Sequence, residues 1–176
     1  APSFASVDGG GKVVVPVGGT NDGGLSVAVQ PDGKIVVAGF SGNGGSSDFG
    51  LIRLNPDGSL DTDFSGDGQI IMPVGNSTDT GNSVTLQPDG RIVFAGTSWN
   101  GSTFDFSLIR LNADGSLDSS FNGDGNNDGK IIVPVGINND NVYGVALQDD
   151  GKIVVAGHSW NGSTFDFSLI RLNADG

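Results

Sequence analysis

The sequence predicts an all-β fold of three tandem, four-stranded, blade-like repeats. Three observations carry this prediction. The 176-residue chain returns on itself at intervals near sixty residues, its apolar runs are short and rich in β-branched residues, and glycine-containing turns separate those runs. With 31 glycines, 36% hydrophobic residues and only 16% charged ones, the balance suits strands and turns rather than helices or disorder.

The first element of each unit is an apolar run ending in Pro-Val-Gly. It spans Lys12 to Gly18, Gln69 to Gly75 and Lys130 to Gly136, at spacings of 57 and 61 residues. Pro16, Pro73 and Pro134 lack an N–H, which places this run at the outer edge of a blade. Next comes a hairpin: Ser26 to Gln30 leads through Pro31-Asp32-Gly33 into Lys34 to Gly39, with glycine where a positive φ is needed. It recurs at Gln87 to Gly96 and Gln148 to Gly157. The same grammar predicts a second hairpin in which Phe49 to Asn55 turns at Pro56-Asp57-Gly58 into Ser59 to Phe64, completing a four-stranded meander. The runs Ile-Val-Val-Ala and Leu-Ile-Arg-Leu are nearly continuous, which implies sheets covered on both faces by neighbouring blades. The array divides into residues 1–11, an N-terminal strand completing a blade, then repeats at 12–68, 69–129 and 130–176, the last lacking its final strand.

A net charge of −12 opposes binding to nucleic acid or to an anionic membrane surface. No run of about twenty apolar residues is present, so no membrane-inserted helix is expected. The absence of cysteine excludes disulfides and thiolate metal sites.

The segment Val145 to Gly157, Val-Ala-Leu-Gln-Asp-Asp-Gly-Lys-Ile-Val-Val-Ala-Gly, and the segment Phe106 to Phe121 resemble the bacterial delta-sixty repeat family. The strand–Pro-Asp-Gly–strand pattern is also similar to NHL-type blades, which carry no matching Val-Pro-Val run. The resemblance implies a β-propeller and an extracellular or cell-surface bacterial setting, with roles in adhesion, scaffolding or self-assembly. It transfers no catalytic residue, and an enzyme is not expected. Ala1 to Phe4 align with Asp61 to Phe64. In a propeller this phase lets an N-terminal strand complete the last blade, so the expectation is that two chains join head to tail as a six-bladed ring, that chains extend as a filament, or that further repeats of a longer array complete the propeller.

Candidate ligand groups are few. Asp124, Asn126 and Asp128 set oxygens at alternate positions before Gly129, as at the start of a calcium loop, although Val135 stands where the closing bidentate acid belongs. Calcium is the one cofactor these residues suggest, against an ordinary Asx-rich turn. Trp99 and Trp160, followed by Asn100 and Asn161, occupy equivalent polar loops, where indoles could stack on a glycan or anchor a protein ligand, or simply pack over the loop. Arg53, Arg110 and Arg171 interrupt apolar strands and need acceptors, so structural ion pairs are expected with Asp48, Asp105 and Asp166, or with the Asp61-type carboxylates. His158 is the single histidine, which excludes a multi-histidine metal site. A hydrolase using rim carboxylates would need two acids converging beside a cleft.

Overall fold

The computed structural model describes residues 11–176, and the described residues form three separate antiparallel sheets. The first is β1 (Asp22–Val29), β2 (Ile35–Gly42), β3 (Ser47–Leu54) and β4 (Gln69–Met72), paired in that order. The second is β5 (Asp79–Leu86), β6 (Ile92–Trp99), β7 (Phe104–Leu111) and β8 (Lys130–Val133). The third holds β9 (Asp140–Leu147), β10 (Ile153–Trp160) and β11 (Phe165–Leu172), so that among the described residues β11 is an edge. No helix among the described residues is long and apolar enough to cross a membrane. The expected N-terminal strand over 1–11 falls almost wholly outside the described residues, as does Ala1 to Phe4.

The first hairpin forms as its turn chemistry dictates. Gly33 has φ 86° and donates its N–H to the Gln30 carbonyl, while the Lys34 N–H reaches the Asp32 carboxylate. The second expected hairpin is not formed. Ser59 to Phe64 contributes only an isolated Leu54–Leu60 bridge, and the fourth strand is instead the apolar run Gln69–Met72, in register with Phe49 to Ile52. The reason lies in side-chain commitments: Asp61 is held by Arg53, and Phe64 is buried beneath that guanidinium, 4.3 Å from ring centroid to charge. A segment plugged at both points turns back under the sheet rather than pairing along it. The edge position expected for the run before each Pro-Val-Gly is the one β4 and β8 adopt, with Pro73 and Pro134 just beyond the ladder. Each sheet therefore takes its last strand from the segment that begins the next repeat.

The inner strands of successive sheets, β1, β5 and β9, contact one another, so the blades converge along this side. Each inner strand carries a bulge, at Leu25, Asn82 and Tyr143, and each bulge re-aims one side chain. Two cores fill the seams between blades. One joins Phe49, Leu51 and Phe64 of the first blade to Val84, Phe94 and Ile109 of the second, and the other joins Phe106, Leu108 and Phe121 to Val142 and Val155 of the third.

Candidate interaction surface

The chemistry of the seams is repeated. On β3 and β7 the side chains at alternate positions face the next blade, so Phe49, Leu51 and Arg53 share one face, as do Phe106, Leu108 and Arg110. The ring of Phe49 comes to rest over Gly96, where an added Cβ would lie 2.7 Å from Cζ, and Phe106 rests likewise over Gly157 at 2.9 Å. Glycine is required there first because the carbonyl of the adjacent inner strand lies closer still, Thr80 O at 2.1 Å from a Cβ at Gly96 and Asn141 O at 1.9 Å from one at Gly157, and the phenyl ring then takes the remaining space. Arg53 donates from Nε to Asp61 at 2.6 Å and from Nη1 to the Ala113 carbonyl of the second blade. Arg110 does the same with Asp118 at 2.7 Å and with the Ala174 carbonyl of the third. Both guanidinium groups are buried, and the neighbouring charge and hydrogen bonds hold Asp61 and Asp118 below the usual carboxylate range against the opposing effect of burial.

Asp48, Asp105 and Asp166 are not the arginine partners. An offset of five residues is odd, so each projects from the opposite face of its strand. They accept instead from loop amides: Asn43 Nδ2 to Asp48 at 2.9 Å, Asn161 Nδ2 to Asp166 at 2.5 Å, and Asn100 to Asp105. Among the described residues Arg171 makes no ion pair and is exposed. Asn100 and Asn161 do not offer their amides to a ligand. Asn100 Oδ1 accepts from the Ser102 and Thr103 N–H groups while Nδ2 donates to Thr103, and Asn161 templates its own loop identically. Trp99 and Trp160 sit half-buried at strand ends, each edge-on to its cross-strand partner, Phe104 or Phe165, at 5.0 Å. Asp124 and Asp128 each accept a backbone N–H two residues on, from Asn126 and Lys130, and Asn126 Nδ2 donates back to Asp124. Those contacts are Asx turns, and they engage both Asp124 oxygens and one Asp128 oxygen in the loop's own structure.

At the rim, Asp22, Asp79 and Asp140 each collect two consecutive N–H groups from the Val-Gly of the preceding loop. The same cradle has opposite electrostatics in two blades. Asp22, on the uncovered first blade, is lowered by those hydrogen bonds, whereas Asp79 is raised because the first blade buries it and Asp48 lies nearby. Burial also raises Asp105, with the Asp140 charge adding. A carboxyl raised above the ordinary 3.8 binds its proton more tightly in the folded state, so it favours folding most below 3.8 and loses that contribution as pH rises through the raised value. The Asp105→Asn protein is therefore expected to gain stability relative to the parent as pH rises from below 3.8 to neutrality. Denaturant melts at several pH values check this, and a pH-independent difference would contradict it.

Sequence reading overlooked the two ends of the array. On the third blade Phe165, Phe167 and Leu169 are exposed, Phe167 fully, while the equivalent Phe106 and Leu108 are wholly buried. On the first, Val27 and Val29 are 62% and 64% exposed, whereas the equivalent Val84 is 8% exposed. Beside the end strand, His158 contacts Asn141 Nδ2 at 3.0 Å and the Tyr143 hydroxyl at 3.3 Å, with the Phe165 ring tilted at 45° to it and 4.4 Å away. The signal was present in the spacing: Phe49, Phe106 and Phe167 each follow a glycine, Gly39, Gly96 or Gly157, by ten residues.

Comparison with known proteins places the chain. The model of a family described as "Domain of unknown function (DUF5122) beta-propeller" matches residues 30–64, 87–121 and 148–176, together more than half of the chain. No curated protein matches. Among solved structures, the chain is similar to "The crystal structure of endo-arabinase from Bacteroides thetaiotaomicron VPI-5482", with a TM-score of 0.45 and 12% identity over 83% of this chain and 54% of that one. The chain thus spans about half the length of that structure.

Proposed function

Since the chain belongs to the DUF5122 beta-propeller family, we propose that it is a non-catalytic repeat module of the bacterial cell surface or exterior, serving adhesion, scaffolding or self-assembly. The observation that carries this reading is the commitment of the repeated carboxylates to architecture. Asp22, Asp79 and Asp140 cradle backbone N–H groups, Asp61 and Asp118 hold arginines, and Asp48, Asp105 and Asp166 hold loop asparagines. Acid–base hydrolysis needs carboxyl groups free to exchange protons with substrate, and these are already engaged. The narrower delta-sixty assignment belongs to the same reading and rests on the motifs at 145–157 and 106–121. The extracellular setting rests on the family resemblance, since the absence of cysteine does not fix the compartment.

The test is an assay for new reducing ends after incubating the purified chain with polysaccharides, arabinan among them. No release is expected. Sustained release that Asp166→Asn abolishes would establish the hydrolase reading instead. Fluorescence of Trp99 and Trp160 tests the glycan-binding alternative in the same samples, and quenching by a glycan would make these loops a binding site.

A further inference from the structure

We propose that two copies of this chain join head to tail, with Phe167 of one copy seated in the open hollow over Gly39 of the second and strand Lys12 to Val15 of the second added to the β11 edge of the first. This rests on the reading of the chain as a scaffold module and names its partner as a second copy. The two internal seams define the contact in advance. Phe49 seats over Gly96 and Phe106 over Gly157. Gly39, the equivalent glycine of the first blade, borders a hollow of about 100 Å³ that no described residue fills, lined also by Gly23, Gly24, Val37 and Val15. Phe167, the equivalent phenylalanine, is fully exposed. Among the described residues Phe167 is thus a knob without a hole, and the hollow at Gly39 a hole without a knob.

The remaining contacts follow the same register. β4 pairs Met72 with Phe49 and Gln69 with Ile52, and β8 pairs Val133 with Phe106 and Lys130 with Ile109. Transposed to the end of the array, Val15 of the second copy lies opposite Phe167 and Lys12 opposite Ile170. Val14 is 93% exposed, and among the described residues β11 presents an unpaired ladder that an added strand would satisfy. Arg171, repeating Arg53 and Arg110, would reach the carbonyl of Pro56 of the second copy, because Pro56, Ala113 and Ala174 are equivalent. Leu169 would lie against Val27 and Val29. One contact of the series is lost: the Val84 and Val145 N–H groups are met by Ser26 and Ser83 hydroxyls, whereas Gly144 stands at the position that Val27 would face. Two such joints close six blades, within the usual four to eight of a propeller.

Light scattering of the purified chain tests the proposal. A mass of twice 17.8 kDa is expected. Phe167→Ser and Val27→Asp, both at positions exposed in the isolated chain, should each give a folded monomer, with circular dichroism confirming the fold. An equimolar mixture of the two should recover a dimer, because one intact head then meets one intact tail. A monomeric parent, an open polymer, or a dimer indifferent to both substitutions would overturn it. The polysaccharide assay is independent of mass, so a monomer without hydrolytic activity would refute the joint and leave the non-catalytic reading standing.

Discussion

Replacing Arg110 with leucine is expected to destabilise the chain by about 3–5 kcal/mol, because it strands the buried Asp118 carboxylate and the Ala174 carbonyl together. The guanidinium is 4% exposed and also lies over the Phe121 ring at 4.8 Å, so no water can replace what it supplies. Arg91 Nε reaches the same carboxylate at 2.9 Å from a half-exposed side chain, which softens the loss without restoring the carbonyl contact. Arg171→Leu supplies the control. It lies in a segment whose sequence, Trp160 to Gly176, is identical to Trp99 to Gly115, yet its side chain is exposed and without an ion pair among the described residues. In the monomer its replacement should change stability by less than about 0.5 kcal/mol. Urea melts of both proteins on the Val27→Asp background, where association is blocked, give the comparison. Equal effects would contradict the seam as described.

The second large effect is expected at Phe106. Truncation to alanine removes a fully buried ring from the seam between the second and third blades and opens a cavity above Gly157, at a cost of about 3–5 kcal/mol. The identical truncation at Phe167 removes a ring that touches solvent, so the monomer should lose almost nothing. Because the flanking sequences are the same, intrinsic strand propensity cancels and only the covering blade differs. The result to look for is a midpoint shift at Phe106→Ala with an unchanged midpoint at Phe167→Ala. A large loss at Phe167 in the monomer would mean that the third blade is covered by something other than a second copy.

Much of this architecture was legible in the sequence because local chemistry decides it. The Pro-Asp-Gly turn dictates the first hairpin, β-branched runs dictate strands, and a proline beyond each apolar run dictates an edge. Arginine within an apolar strand announced a buried acceptor, and parity could have selected it: Asp48 lies at an odd offset from Arg53 and therefore on the other face. The second hairpin failed for a non-local reason. Ser59 to Phe64 reads as a strand after a turn, but Asp61 and Phe64 are taken by Arg53, leaving the ladder to Gln69–Met72. The loop asparagines at 100 and 161 looked free because a side chain that templates its own turn has the same composition as one that binds a ligand. The Phe–Gly contact was the least legible feature, since each partner is ordinary within its own strand and only blade stacking brings them together.

The most direct test of the central claim, that blades cover one another through one repeated seam, is amide hydrogen exchange by NMR on the monomeric Val27→Asp chain. Two identical stretches of sequence, β7 within the array and β11 at its edge, then report environment alone. β7 pairs on both sides, with β6 and β8, whereas among the described residues β11 pairs with β10 only. The account predicts that all interior β7 amides are protected, while the outward-pointing half of the β11 amides exchange as fast as fraying termini. Equal protection of the two strands would contradict it.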